Sequence, residues 1–499
     1  MARVCVIGAG ISGLVTAKTL KAKGHDVVVV EKRKNLGGVW DPDVSYPEVG
    51  TQTNGAQYSF SDFPMPADYP EWPDGKRVFS YLNDYAKQFG VSSDILYGAE
   101  VTALRYDEVA RKWTATIDAA GDQQDATFDK VAICTGIFNR PNVPEFPGAE
   151  DFTANGGQIL HTSTATDPTA FEGKRVVVVG FQKSATDVAQ FSAQHADTTS
   201  LVYRRALWKT PKFIAGLINV KYLFYSRGVE ALFEPMSPGG GERVLHTLAR
   251  PAIWGFWRLV ENLLKVQLKL PACNLVPEHP IESQISCALS VAPDGYYDAI
   301  RAGRISTHKS TIARFESDAV VLADGTKLPA DVVVFGTGWL PSLPFFDEDT
   351  LGKIIDPDGY FRLYRNIISP DLPDLGFVGY NSSLFCQLTS EVAAAWLGQL
   401  WEEQISLPST SEMKDQVDQR IRWLAEKRPS DLRSFRNSCV APFEYHYWDE
   451  LLTDMGLRTR RTRNWLVETF KPLNPKDYHE LLRPIRPLET TEGTTVINA

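Results

Sequence analysis

The feature that most constrains the fold is a strand–turn–helix–strand unit that occurs twice. The first copy is "RVCVIGAGISGLVTAKTLKAKGHDVVVVEK", residues 3–32, and the second is "KRVVVVGFQKSATDVAQFSAQHADTTSLVYRR", residues 174–205. In both, a near-continuous apolar strand runs into a glycine-bearing turn, as expected of a parallel strand covered on both faces. This predicts an α/β chain with two Rossmann-like dinucleotide-binding domains.

The spacing assigns work to individual residues. Gly8 makes the tight turn, Gly10 lets a pyrophosphate approach the backbone, and Gly13 lets helix and strand pack closely. Ile11 and Ser12 open the helix whose N-terminus faces the phosphates. Glu31, followed by Lys32, ends the second strand where an acid accepts hydrogen bonds from ribose hydroxyls. The second copy keeps Gly180 but carries Gln182 at the next glycine position, followed by Lys183. Ser184 and Asp187 are spaced like a capping box. Arg204 and Arg205 stand where the first copy has Glu31, and arginine suits a 2′-phosphate. The first unit therefore reads as an FAD or NAD site and the second as NADP-selective. Each unit is followed by a strand ending in small residues, Thr135-Gly136 and Gly336-Thr337-Gly338, as backbone close to a dinucleotide requires. Asp324-Gly325 predicts a hairpin turn before the latter.

At 499 residues the chain is long enough for two or three domains. A formal net charge of −9 leaves no broad basic face and disfavours nucleic acid as a partner. The six cysteines include no C-x-x-C pair, which argues against a zinc site and a dithiol centre; no metal is expected. Sparse, unpaired cysteines and a strand beginning almost at the first residue point to a cytoplasmic protein without a signal peptide. No apolar stretch is long enough to predict a transmembrane segment. The segment "WGFWRLVENLLKVQLKL", 254–270, has interleaved charges and is expected to be a packed helix or lid, with an interfacial helix touching a membrane as the alternative.

The motifs between and after the two units extend over almost the whole chain. They include "NLGGVWDP" with Gly38, Val39 and Trp40, then "TQTNGAQYSFSDFPMP" with Thr53, Asn54 and Gly55. Gly157 to His161 forms a Gly-x-x-x-His, and "PDGYYDAIRAGRI", FGTG and "GFVGYNSSLFCQLTSEVAAAWL" follow. In this combination the chain resembles the flavin-containing monooxygenases, class B single-component flavoprotein oxygenases, and leans toward their plant and fungal-like branch. The resemblance implies an FAD domain in two segments, 1–165 and 325–455, with an NADP domain, 166–324, inserted between them. A helical insertion is expected at 206–280 and a C-terminal arm at 456–499, lying over another domain or over a second subunit of a homo-oligomer.

The resemblance further implies FAD and NADPH as cofactors, and O2 and a small molecule as substrates. Reduced flavin adds O2 at C4a, and the hydroperoxyflavin oxygenates an amine nitrogen or a sulfur. A Baeyer–Villiger oxygenase, a flavin-dependent halogenase, or a flavin-binding protein with impaired NADPH use are the alternatives. Asn54 maps to the position beside flavin C4a and is the candidate catalytic residue, with Thr53 and Gly55 flanking it and Trp40 approaching the FAD. Ser184 and Asp187 map to nucleotide-contacting positions. His161 is expected to position the linker between domains. Ala165 replaces the family's usual aromatic, and Baeyer–Villiger relatives carry Trp-Pro there, which argues against ketone oxygenation. Gln182 and Lys183 are expected to contact the pyrophosphate and offset a less close backbone approach. Gln182→Gly and Lys183→Ala are then expected to shift NADPH affinity at low salt, measured by equilibrium titration; unchanged affinity in both would remove them from the site.

Overall fold

The protein is described from a computed structural model covering residues 1–285, 288–381, 383–427 and 439–482. The first unit forms a parallel sheet in the order Leu375–Phe377, Lys130–Ile133, Arg3–Ile7, Asp26–Glu31, Ile95–Tyr97. The second forms a parallel sheet in the order Ile305–Lys309, Thr198–Tyr203, Arg175–Val179, Val332–Phe335, Gln158–His161. A three-stranded antiparallel meander leads into Lys130–Ile133, and another, Ile312–Glu316, Ala319–Leu322, Lys327–Pro329, leads into Val332–Phe335. Asp324-Gly325 lies at the tip of the second meander's last turn, with Gly325 at φ +85°.

The apolar runs of the central strands follow from burial on both faces. Val4 and Val6 pack with Leu14, Leu20 and Leu397 of the helices Ile11–Ala22 and Cys386–Trp401. The alternating residues Cys5 and Ile7 pack with Trp113 and Ala115 of the first meander. In the second sheet, Val176 and Val178 join Ala185 and Val188 of the helix Lys183–His195, whereas Val177 joins Phe315 and Val320 of the second meander. The central strands Arg3–Ile7 and Arg175–Val179 thus sit between a helical layer and a meander, which is why their interior positions are apolar.

The sheets place domain boundaries differently from the sequence reading. Gln158–His161 and the meander strands from Ile312 onward belong to the second unit, so limits at 165/166 and 324/325 cut through its sheet. Gly157 has a packing reason: a Cβ there would lie 2.4 Å from the Phe152 ring. Within 206–280 the chain forms two short strand pairings and the helices Lys221–Phe224, Arg227–Glu230, Gly240–Leu248 and Arg250–Gln267. The last of these buries Trp257, Val260 and Leu264 and exposes Trp254, Leu259 and Val266. Among the described residues no helix is long and apolar enough to cross a membrane. The C-terminal arm, as far as residue 482, folds back over its own chain. Leu473 N donates to Tyr225 O at 2.7 Å, and Tyr478 is fully buried. Residues 483–499 of the expected arm lie outside the described residues. Cys5, Cys134, Cys273 and Cys386 are free thiols. Cys439 is disulfide-bonded, a departure from the expectation of wholly unpaired cysteines.

The two turns solve one steric problem in different ways. In the first, a Cβ on Gly13 would stand 1.8 Å from Gly8 O, and the residue after the facing strand is Cys134, whose Cβ would lie 3.5 Å away. In the second, the equivalent helix position is Ala185, and the facing residue is Gly336, whose added Cβ would meet Ala185 Cβ at 2.5 Å. The glycine has moved from the helix to the strand end. Gly336→Ala is expected to destabilise the chain by about 1–3 kcal/mol through overpacking. Ala185→Gly should recover part of that loss in the double variant, a non-additivity that denaturant unfolding of the two single variants and the double variant measures.

Candidate functional site

The helix Ile11–Ala22 begins at Gly10, whose N-cap position has no side-chain hydrogen bond. Its first-turn N–H groups therefore have no side-chain acceptor and face the glycine turn, which suits an anionic group. Gly38 closes over this turn: a Cβ there would lie 3.3 Å from Gly10 Cα, and Gly37 N donates to Ala9 O at 2.9 Å. Ser12 Oγ lies 3.1 Å from Ser390 Oγ. Glu31 is buried, its carboxylate accepting from Ala9 N at 2.7 Å and Arg33 N at 2.9 Å. Each oxygen keeps acceptor capacity for a further donor. Lys32 is exposed beside it. Arg33 spans back to Gly38 O at 3.0 Å. Thr135 Oγ1 lies 2.9 Å from Tyr380 Oη, and Gly136 has φ +65°. A dinucleotide with adenosine at Glu31 and pyrophosphate at the turn fits these residues.

The second turn is built similarly. Gly180 has φ +127°, and an added Cβ would lie 2.4 Å from Gly336 O. Gln182 is the N-cap of Lys183–His195 and makes no side-chain cap. The capping-box pairing of Ser184 with Asp187 is therefore not formed, because the helix starts earlier and Asp187 lies inside it. Asp187 instead pairs with Lys183 one turn back and accepts from Tyr46 Oη at 2.8 Å. Arg204 and Arg205 follow the strand Thr198–Tyr203, Arg204 exposed and Arg205 half-buried. Thr337 Oγ1 donates to Asn142 O. His161 Nε2 lies 3.0 Å from Gly338 O and its Nδ1 2.9 Å from Ser163 Oγ, which ties the strand Gln158–His161 to the FGTG turn.

The second turn opens into a cavity of about 280 Å³ whose opposite wall comes from the loops that follow the first unit's second strand. Val39, Trp40, Thr53 and Tyr58 line it from the first unit, and Gln182, Lys183, Ser184 and Gly338 from the second. Trp40 Nε1 donates to Tyr58 Oη at 3.1 Å, and Thr53 Oγ1 donates to Leu384 O at 2.7 Å. A small pocket of about 50 Å³ adjoins the cavity and shares Gln52, Leu289, Ser290, Leu384 and Ala441 with it. Phe224, Tyr225, Val229, Phe233, Phe385 and Tyr445 make most of its remaining wall.

Asn54 is placed differently from the expectation. It is 1% exposed, and its Nδ2 donates to Glu71 Oε1 at 2.8 Å. The same oxygen accepts from Asn219 Nδ2 at 2.6 Å and Lys221 Nζ at 3.1 Å. Asn54 and Gly55 line a separate cleft with Met65 and Lys471, while their neighbour Thr53 faces the shared cavity. The side chain thus anchors the loop to the 218–221 segment.

Two groups escaped sequence reasoning. Lys209 is fully buried and donates to Ser290 Oγ at 2.8 Å. A lone lysine in a turn-like stretch carries no pattern that marks it. Glu230 accepts from Tyr445 N and His446 N, both at 2.8 Å, and so caps the helix Glu444–Asp454 from the 206–280 segment. His446 bridges Glu230 and Glu242 at 2.5 and 2.7 Å.

The comparisons with known proteins agree with this geometry. The family model described as flavin-binding monooxygenase-like matches residues 1–460. The chain is 30% identical to a probable flavin-containing monooxygenase 1 of Arabidopsis thaliana over 519 aligned residues, covering 95% of this chain and 96% of that one. Its fold is similar to that of an S-allyl-L-cysteine S-oxygenase from Allium sativum, with TM-score 0.62, 21% identity, and 91% and 88% of the two chains covered. It is similar also to a cyclohexanone-bound cyclohexanone monooxygenase, with TM-score 0.69, 17% identity, and 91% and 97% covered.

Burial alone would lower the His446 pKa, but its bond to Glu230 and the charges of Glu230 and Glu242 outweigh it and raise the value to about 9. The stabilisation is fully present below the ordinary histidine value and is lost as pH rises through 9. Unfolding midpoints measured from pH 6 to 10 are expected to fall over the upper part of that range. His446→Gln should remove that component of the fall.

Proposed function

The chain belongs to the flavin-binding monooxygenase-like family, and on that premise we propose that it is an NADPH- and O2-dependent flavin monooxygenase oxygenating a soft nucleophile, an amine nitrogen or a sulfur, of a small molecule. The observation that carries this reading is the cavity that Gln182, Lys183 and Ser184 of the second turn share with Val39 and Trp40, which directly follow the Gly38 that closes over the first turn. A flavin held by the first turn and a nicotinamide held by the second would have their reactive ends brought together in that cavity. FAD supplies oxygen activation when bound and NADPH supplies the hydride; the organic chemistry belongs to the cofactors.

The protein's own part is to bind, orient and exclude water. Glu31 would take the adenosine ribose of FAD, and the turn from Gly8 to Gly13 with Gly38 its pyrophosphate. Trp40, held by Tyr58, and Thr53, held by Leu384 O, form the wall beside the ring system. Gln182, Lys183 and Ser184 would receive the NADPH phosphates, and Arg204 and Arg205 its 2′-phosphate. The Asn54 Nδ2 fixes the loop through Glu71 and Asn219, while its buried Oδ1 has no partner among the described residues and stays available to a bound cofactor. The apolar pocket between Phe224 and Phe385 is the place for the substrate's carbon skeleton, since burial there favours apolar groups.

Anaerobic mixing with NADPH is expected to bleach the flavin, and aerobic turnover to yield N- or S-oxide by mass spectrometry; an unbleached flavin would sink the proposal. Arg204→Ala and Arg205→Ala are each expected to weaken NADPH binding roughly tenfold while leaving NADH little changed, since a charged hydrogen bond to phosphate is lost.

A further inference from the structure

A buried lysine stands directly behind the cavity wall, and the reading above gives it no task. Lys209 is 0% exposed, in a two-residue strand paired with Ser290-Val291. Its Nζ donates to Ser290 Oγ at 2.8 Å and lies 5.5 Å from the Phe181 ring centroid. Ser290 is itself buried, yet it lines both the shared cavity and the apolar pocket. An ammonium has donors and no acceptor, so Ser290 Oγ must accept from it. The serine's own proton then points elsewhere, and no other described residue bonds that oxygen.

We propose that Lys209 and Ser290 form a proton-holding pair at the wall between the nicotinamide cavity and the substrate pocket. Ser290 passes its hydroxyl proton to an oxygen acceptor in the cavity and takes one from the Lys209 ammonium, which is left as a neutral amine. Reprotonation of the amine resets the pair. The pair rests on the proposed monooxygenase reading, because that chemistry consumes protons where oxygen is reduced. Ser290 would touch the reacting species, and Lys209 acts through it.

The surroundings suit the task. Burial lowers the Lys209 pKa to about 7, with Asp187 favouring the ammonium and Lys183 opposing it. Both lie on the helix Lys183–His195. Tyr46, which donates to Asp187, stays protonated because burial and that carboxylate push its pKa well up. The amine is therefore charged below neutrality and loses its proton as pH rises through about 7. An anionic pyrophosphate at Gln182–Ser184 would favour the charged form.

Two readouts test the pair. The first is proton uptake on binding NADP+, measured calorimetrically in buffers of different ionisation enthalpy at pH 7–8, which needs no turnover. Wild type should take up part of a proton beyond the amount in Lys209→Met; the ligand's own phosphate titration is common to both and cancels. The second is the yield of oxygenated product per NADPH oxidised between pH 6 and 9. Wild type should lose coupling as pH rises, and Lys209→Met and Lys209→Arg, neither of which can release and regain a proton, should both lower the coupled rate on the order of 100-fold at pH 6. Ser290→Ala should retain the proton uptake and lose the coupling. Equal proton uptake in wild type and Lys209→Met, or full coupling in a folded Ser290→Ala, overturns the pair. Failure of NADPH to bleach the flavin would instead overturn the monooxygenase reading, while the calorimetric result stands apart from it.

Discussion

Everything in this structure depends on how closely a helix start can approach the end of a parallel strand. At Gly13 the space allows no Cβ beside Gly8 O, and at Gly336 none beside Ala185. Side chains at those points would push the helix off the sheet and turn its N-terminal amides away from the phosphate path. The second turn meets the requirement with its glycine on the strand side. It carries Ala185 on the helix and Gly336 on the facing side, and Gln182 is tolerated because the N-cap needs extended backbone, which any residue adopts. The loop with Gln182 at a glycine position is sterically complete.

Around these two rigid points, carboxylates fasten the remaining segments. Glu31 holds the first turn to the residue after its own strand. Asp187 draws Tyr46, from the first unit, onto the second unit's helix. Glu71 gathers Asn54, Asn219 and Lys221, and Glu230 caps the helix Glu444–Asp454. Each anchor joins segments remote in sequence. A carboxylate can accept several donors at once, so one buried acid fixes the mutual position of two or three loops. The cavity wall is therefore set by these acids as much as by apolar packing.

This division explains what could be read in the sequence. The strands, both glycine turns and the hairpin at Asp324-Gly325 were legible, because backbone geometry imposes periodicity and glycine spacing. The pairing of Asp187 was not, since the Ser184 spacing fits a capping box equally well and the helix start decides between them. Nor was the orientation of Asn54: the loop motif marks the residue, but Glu71 and Asn219, the latter far along the chain, determine where its amide points. The domain limits were misplaced because the short strand Gln158–His161 gives little signal until it pairs with Val332–Phe335. Lys209 and Ser290 meet only through a two-residue pairing that leaves no pattern at all.

The apolar pocket follows different physics from the two glycine turns. Arg227 donates to both oxygens of Asp449 at 2.6 and 2.7 Å and to Glu468 at 2.6 Å, so the 206–280 segment, the helix Glu444–Asp454 and the C-terminal arm meet at one guanidinium. Burying such charges costs desolvation that their attraction only roughly offsets, so the cluster adds little net stability. What it does add is a fixed register: the fork of the guanidinium accepts few geometries, Tyr225 and Glu230 lie within three residues of Arg227, and the Tyr445 ring centroid lies 4.7 Å from its Cζ. A pocket positioned by directional charge pairs can change its lining residues without losing its frame. The glycine turns have no such freedom, because a single added methyl group there meets backbone.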